Sequence, residues 1–337
     1  MKVFMIGGTG LLGSEGAKEL IRRGHSVASV ALPPIPEGAL LPKEMKIDFG
    51  NYMEMDDTAL RRYMEGCDAF VFAAGVDERV EGPAPIYDMF KKFNITPLDR
   101  LLRIAKSCGV KHAVICGSYF AHFDKEWPEK KLYDTHPYIR SRVDQEKMAL
   151  AFADKNFDVA ILELPYIFGT QPGRKPVWLF LVDQVRSQKA VTLYPKGGTT
   201  MVTVRQVGQC IAGAVERNKG GNVYPVGYYN MTWKEMLRIV HKHMGVPNKK
   251  IITIPNWMYA LGGKKIMKDQ AALGHEGGLN MVKFADVMCA KTFIDKEPIV
   301  KRLGVKDDDI DAAIGDSIRL CLGILDGKAK AIGMKGE

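Results

Sequence analysis

Lys2-Val3-Phe4-Met5-Ile6-Gly7-Gly8-Thr9-Gly10-Leu11-Leu12-Gly13 decides how the rest of this chain is read. An apolar run of strand type breaks into glycines, and an amphipathic segment from Leu11 to about Arg23 follows with no loop between them. That is a strand, a tight turn and a helix. Gly7, Gly10 and Gly13 recur at every third position. With that spacing the turn can bend sharply, the backbone can come close to a pyrophosphate, and the helix can pack tightly on the strand. The first amides of such a helix have no intrahelical partner and face the turn, where a diphosphate would satisfy them and meet the positive end of the helix dipole. Gly7, Thr9, Gly10, Leu11, Leu12 and Gly13 are therefore expected to form a dinucleotide cradle.

Outward from this turn, strand and helix patterns alternate. Val27 to Leu32 reads as a second strand, Met45 to Phe49 as a short third, and Asp56 to Glu65 as a helix. The apolar run Ala69-Phe70-Val71-Phe72-Ala73-Ala74-Gly75 suits a strand covered on both faces. A helix from Ile86 to about Ser107 leads into a strand over Val110 to Cys116, and a helix from Tyr138 to about Lys155 into a strand over Val159 to Leu164. Alternation of this kind implies parallel strands joined by right-handed crossovers. The fold class is α/β, a Rossmann-type doubly wound parallel sheet. Residues 1–164 are expected to form the dinucleotide-binding domain. Residues 165–337, rich in proline and glycine at first, are expected to add two more elements to the sheet and to build a smaller substrate-binding lid.

Composition narrows the function. Of 337 residues, 46% are hydrophobic, enough for a large core. No apolar run reaches the roughly 18 residues that span a bilayer, and no secretory signal precedes the first strand. The six cysteines are scattered without a C-x-x-C pair, which fits small buried hydrophobes in a reducing, cytoplasmic setting. The net charge of +9 comes from basic pairs far apart along the chain, so it reads as a solvated surface rather than a nucleic-acid face. No metal site is expected. His241-Lys242-His243 lacks a third ligand and reads as an exposed helical pair.

Several further residues carry a family resemblance. The glycine turn, Asp48-Phe49, Ala73-Ala74-Gly75, Asn94, Ser118, Pro137-Tyr138-Ile139-Arg140-Ser141-Arg142 and Leu164-Pro165-Tyr166-Ile167-Phe168-Gly169 resemble, in order, the extended short-chain dehydrogenase/reductases, the family of NAD-dependent epimerases and dehydratases. The resemblance covers nearly the whole chain. It implies a catalytic group of Ser118, Tyr138, Arg142 and Asn94. It also implies cofactor contacts from the glycine turn, Leu32, Asp48, Phe49, Ala73, Ala74, Gly75, Tyr138, Arg142 and Pro165. Ser118 would orient a substrate oxygen and Tyr138 would act as the general acid/base. A free tyrosine has a pKa near ~10, so a nearby cation must lower it. The family places a lysine four residues later; here Arg142 stands there. Arginine supplies the charge but effectively never deprotonates, so it cannot hand a proton onward. Arg140 and Lys147 fall roughly opposite Tyr138 on a helix that advances ~100° per residue.

The expected cofactor is NAD(P). Leu32, at the expected end of the second strand, neither binds a ribose hydroxyl nor repels a 2′-phosphate, which leans the expectation to NADP. Asp48-Phe49 would lie beside the adenine. Nucleotide-sugar members of the family usually carry asparagine where Tyr166 stands and an arginine near Thr199; both are missing. Trp257, Met258, Tyr259, Met267, Met281 and Met288 could instead line an apolar pocket, with Gly274-His275-Glu276-Gly277-Gly278 as a mobile loop over the cleft. The expected activity is hydride transfer to or from a carbonyl or secondary alcohol of a fairly apolar small molecule, steroid-like or phenylpropanoid-like. The alternatives are a nucleotide-sugar epimerase or dehydratase, and a non-catalytic dinucleotide-binding regulatory or RNA-binding protein. The expected partner is a small-molecule substrate, with no membrane; a homodimer is left open.

Overall fold

The structure is a computed structural model that describes residues 1–332. The first strand, β1 (Lys2–Ile6), leads through the glycine turn into α1 (Leu11–Arg22). Then come β2 (Ser26–Ala31), β3 (Lys46–Phe49), α2 (Asp57–Met64), β4 (Ala69–Phe72) and the short β5 (Glu81–Pro83). The long helix expected after it is broken in two: α3 (Tyr87–Phe90) runs into a π-helical turn, Lys91–Ile95, before α4 (Thr96–Ser107). β6 (His112–Ser118), α5 (Tyr119–Glu126), α6 (Leu132–Thr135), α7 (Pro137–Leu150), β7 (Asp158–Leu164) and β8 (Tyr166–Phe168) complete the first half. In the second half lie α8 (Leu179–Ser187), β9 (Val191–Pro195), β10 (Gly198–Thr203), α9 (Val204–Arg217), β11 (Gly221–Pro225), β12 (Tyr229–Thr232) and α10 (Trp233–His243). β13 (Lys250–Ile254), α11 (Asn256–Ala272), β14 (His275–Gly277), α12 (Ala285–Met288), β15 (Lys291–Thr292), α13 (Glu297–Leu303) and α14 (Ile310–Leu325) follow.

Seven parallel strands form the central sheet in the order β11-β7-β6-β4-β1-β2-β3. The chain moves outward from β1 through β2 to β3, then returns to β1's other side at β4. The strand order therefore reverses between β1 and β4, and ligands of such sheets bind in the crevice beyond the strand ends there. Side chains alternate along β1: Val3 and Met5 join the core under α1 and α9, while Phe4 and Ile6 join the core under α2 and α4. Both faces are covered, which is why the strands read as continuous apolar runs.

Of the two further sheet elements expected from the second half, one is the strand β11; the other contribution is a helix, α9, packed on α1. The sequence reading did not anticipate α9 or α11. Thr203 and Gln206 start α9 with a capping box, which could have signalled it. The remaining strands build small sheets, β12-β10-β15 with β8 beside β10, β9 with β13, and β5 with β14. Around them lies a third core, rich in aromatic residues, that reaches from Tyr119 and Tyr138 to Trp178 and Trp233. None of the described helices is long and apolar enough to cross a membrane.

Candidate active site

The three glycines of the turn have different tasks. Gly7 has φ +89°, and a Cβ there would lie 2.3 Å from the Ala73 carbonyl oxygen, so only glycine lets β1 and β4 end side by side. A Cβ on Gly13 would lie 2.1 Å from the Gly7 carbonyl oxygen, where the helix crosses the turn. Gly10 has an ordinary extended backbone, φ −80° and ψ 176°, and a Cβ there would meet only the Gly7 oxygen, at 3.2 Å. Its outer side is open. No side chain caps α1, so its first amides face the crevice unpartnered by any cap. Thr9 is buried, Leu11 and Leu12 begin the helix, and Ala73, Ala74 and Gly75 form the opposite rim.

An open cradle below an uncapped helix fits a dinucleotide diphosphate. Leu32 follows β2 by one residue and is partly buried; Asp48 and Phe49 end β3, with Phe49 57% exposed. Pro165 links β7 to β8 at the far side.

Ser118 ends β6 and caps α5 by accepting the Phe120 N–H at 3.4 Å. Tyr138 is the second residue of α7 and is buried, packed edge-on against Phe90 and Phe120. Arg142, one turn later, places its guanidinium 5.1 Å from the centre of the Tyr138 ring. Here the structure corrects the expectation of a lowered tyrosine. Burial pushes the Tyr138 hydroxyl up by more than Arg142 pulls it down; Glu78 and Asp77 push it up further, and Ser118 opposes them. Arg140 and Lys147 lie elsewhere, over the rings of Tyr87 and Tyr133.

The Arg142 guanidinium donates to Gln145 Oε1 at 2.9 Å and to the Val76 carbonyl at 3.2 Å. Its Nε is buried without a partner, a donor available to a ribose hydroxyl.

The Asn94 side chain makes its hydrogen bonds to the Val76 backbone. It sits on the π-turn, fully buried, accepts the Val76 N–H at 2.8 Å and donates to the Val76 carbonyl at 3.0 Å. A Cβ on Gly75, where φ is +126°, would strike Asn94 Oδ1 at 2.4 Å. Asn94 thus holds the loop after β4 through both atoms of its side-chain amide. Gln145 completes the brace by donating to the Asn94 carbonyl at 2.6 Å. Sequence reasoning missed Gln145, although its i+3 spacing from Arg142 was a visible signal. It also missed Glu78.

Beyond Tyr138 the packing is aromatic. Tyr119, Tyr166, Trp178 and Trp233 are packed together, with Tyr166 5.4–5.9 Å from the other three rings. The Tyr166 hydroxyl donates to the Met288 sulfur at 3.9 Å. Thr199 is buried against the hydroxyls of Tyr119 and Thr292.

The segment expected to be a mobile loop is instead tied down. His275–Gly277 pairs with Glu81–Pro83, the Tyr138 N–H donates to the Gly278 carbonyl at 2.9 Å, and the Asn280 N–H donates to His136 Nδ1 at 3.0 Å. Burial holds His136 down, to about 4, so it stays neutral and able to accept that bond. The six expected pocket residues divide. Met288 is buried, Tyr259 and Met281 pack on the aromatic core, and Met267 is partly buried on α11, whereas Trp257 and Met258 face solvent on the same helix, 64% and 40% exposed. His241 is also corrected: it lies on the inner face of α10, buried, with Nε2 2.9 Å from the Thr192 hydroxyl. Four cysteines are buried and two are partly buried, all free, and no group of metal-ligating side chains occurs among the described residues.

A seven-stranded sheet with a glycine cradle at its switch point, and a serine and tyrosine beside it, defines a dinucleotide-dependent class. The sequence profile of the NAD dependent epimerase/dehydratase family matches residues 3–227, and the chain belongs to that family. Among curated relatives, a putative dihydroflavonol 4-reductase of Synechocystis sp. is 24% identical over 94% of this chain and 93% of its own length. A UDP-glucose 4-epimerase of Lactobacillus helveticus is 29% identical over 49% of this chain and 51% of its own. Among solved structures, gox2253 superposes with a TM-score of 0.74 at 20% identity, covering 97% of this chain and 99% of that one. A nucleoside-diphosphate-sugar epimerase from Pseudomonas aeruginosa does so at 0.66 and 17%, covering 98% and 99%. At these identities the structural likeness establishes the fold alone. Family members are NAD-dependent enzymes, and structures of several neighbours contain NAD.

Proposed function

We propose that this protein is an NAD(P)-dependent oxidoreductase acting on the carbonyl or secondary alcohol of a fairly apolar small molecule. One observation carries the reading: Tyr138 packs into an aromatic cluster with Tyr119, Phe120, Tyr166, Trp178 and Phe284, and positions 199 and 166 hold a buried threonine and a partly buried tyrosine. Among the described residues, the members of that cluster are uncharged and offer a nucleoside diphosphate no clamp. A bound reduced nicotinamide supplies the hydride. Ser118 orients the substrate oxygen, Tyr138 gives it the proton, and Arg142 offers its free Nε to the cofactor ribose. The aromatic walls exclude water and hold an apolar substrate. Both NAD and NADP fit a β2 end that carries Leu32, with a lean to NADP.

The test is oxidation of NADH and NADPH with a panel of apolar ketones. Tyr138→Phe is expected to lose at least a hundredfold in turnover with cofactor affinity nearly intact, and Arg142→Lys to keep or raise activity. UDP and dTDP are expected to compete poorly with substrate. The epimerase reading draws on the half-length similarity to UDP-glucose 4-epimerase. Micromolar binding of UDP that does not displace the cofactor would replace our proposal with that one.

A further inference from the structure

Helix α11 rests on the protein by a narrow face and leaves a mixed apolar and basic one uncovered. At ~100° per residue, Asn256, Tyr259, Ala260, Gly263, Met267 and Gln270 share its inner side, and these are its buried or partly buried residues. Gly263 lets the helix press on the segment before α12: a Cβ there would lie 2.6 Å from the Met281 carbonyl oxygen. Tyr259 packs on the aromatic core that also holds Tyr138.

The opposite side has no such neighbour. Trp257, Met258, Leu261, Lys264, Lys265 and Lys268 fall within an arc of about 120°. All are exposed, Trp257 by 64% and Leu261 by 59%. The apolar residues come first along the axis, and the lysines follow about one turn later. Asp269, the helix's one acid, lies at the edge of the arc. The ammonium groups of Lys264, Lys265 and Lys268 have no ion-pair partner among the described residues. Exposed apolar residues continue on the strand pair that Pro255 joins to the helix: Ile252 of β13 and its register partner Leu193 of β9 are 38% and 39% exposed. A lone exposed leucine needs no explanation, but large apolar side chains grouped beside charge of one sign mark a contact surface.

The two features together select the partner. A second copy meeting this face across a two-fold axis would bring the lysines of both copies together, with no carboxylate cluster to offset them. A nucleic acid would neutralise the lysines but leave Trp257, Met258 and Leu261 against hydrated phosphates. A lipid surface answers both needs. The acyl boundary takes the apolar side chains, tryptophan sits well at headgroup level, and lysine stems lie along apolar surface while their ammonium groups reach anionic headgroups.

We propose that the outer face of α11 docks this protein on a bilayer that carries anionic lipids, with the helix lying in the plane of the interface. No described helix is long and apolar enough to span, so the contact is peripheral. The sequence reading, built on spanning runs, expected no membrane. The net charge of +9 draws the whole protein toward such a surface, and the apolar residues of α11 decide which side arrives. The inference is independent of the reaction assigned to the site.

The test uses the full chain with vesicles of phosphatidylcholine alone and of phosphatidylcholine with an equal part of phosphatidylglycerol, bound protein being measured by sedimentation. Wild type is expected to sediment with the anionic vesicles, far less with the neutral ones, and to come off as salt is raised. Lys264→Gln, Lys265→Gln and Lys268→Gln together are expected to weaken partition about a hundredfold. Trp257→Ser with Leu261→Ser is expected to weaken it at least tenfold. All these side chains are exposed, and a urea midpoint equal to that of wild type shows that a lost interaction is not a lost fold.

A protein of net charge +9 also adheres to anionic vesicles through lysines elsewhere, so a second measurement locates the contact. Lipids brominated on the acyl chain quench a tryptophan that reaches the hydrocarbon edge. Of the four tryptophans, Trp178 and Trp233 are buried and Trp127 is partly buried. Quenching is therefore expected in wild type and is expected to vanish in Trp257→Phe, which should still sediment. Sedimentation without quenching, quenching that survives Trp257→Phe, or equal partition of wild type and the double serine variant overturns the proposal. Failure to bind the anionic vesicles overturns it too; if light scattering then shows a dimer that Leu261→Ser dissociates, a second copy covers this face.

Discussion

Gly10 and Gly13 look alike in the sequence, but the structure makes opposite forecasts for them. At Gly10 the backbone lies in the extended region open to any residue, and an added Cβ meets a single atom at 3.2 Å. Gly10→Val should therefore fold. Its stability should stay within about 1 kcal/mol of wild type, since a smaller unfolded-state entropy offsets the close contact. The side chain would project into the open side of the cradle, where the diphosphate is expected. Two charge-assisted hydrogen bonds lost there, at about 1.5–3 kcal/mol each, weaken dinucleotide binding by roughly 10²–10⁴-fold. At Gly13 even one methyl would sit 2.1 Å from a backbone oxygen, which cannot rotate away as a side chain can. The start of α1 must shift against the sheet and α9. Overpacking of this kind costs ~1–3 kcal/mol, and the backbone contact puts Gly13→Ala at the upper end. Thermal and urea unfolding measure stability, and calorimetry with NAD and NADP measures binding. A Gly10→Val protein that binds either cofactor as well as wild type, or a Gly13→Ala protein as stable as wild type, refutes this account of the turn.

Leu32→Arg is expected to shift cofactor preference about 10–100-fold toward NADP through a charge-assisted bond to the 2′-phosphate; equal affinities for both cofactors in wild type and variant would count against Leu32 facing the ribose. Glu163, fully buried, shares the single Lys125 ammonium with Glu146, and burial outweighs that attraction, holding Glu163 up at about 8. Because this folded-state value lies above that of an unfolded glutamate, the folded protein keeps a proton the unfolded chain has released between about pH 5 and 8. This group's contribution to stability therefore falls as pH rises through that window. Glu163→Gln should flatten the decline, and identical pH dependence of the urea midpoint in wild type and variant would show the group to be ionised in the fold.

Local pattern carried much of the architecture. β1, the glycine turn and α1 are nearly contiguous, so their geometry follows from spacing alone. The buried parallel strands announced themselves as apolar runs. What escaped was built by residues far apart in the chain. The break of the helix after Ile86 into a π-turn at Lys91–Ile95 has no local marker, yet it aims Asn94 at Val76. Trp257 and Met258 read as pocket residues by type, but α11 turns them outward.

The sequence by itself determined the class of fold, the place of the cradle and the order of the candidate site residues, because each is written in neighbours that touch along the chain. Only the tertiary structure decided how those residues are used. The Tyr138 hydroxyl is raised rather than lowered, because its burial by α5, α7 and the 278–284 strap outweighs the arginine one turn away. Asn94 braces a loop where a catalytic contact was expected. Glu78, one acid among many in the sequence, adds its negative charge to the surroundings that raise the tyrosine. Desolvation and charge–charge coupling depend on what folding brings within a few ångströms, and no spacing along the chain records that distance.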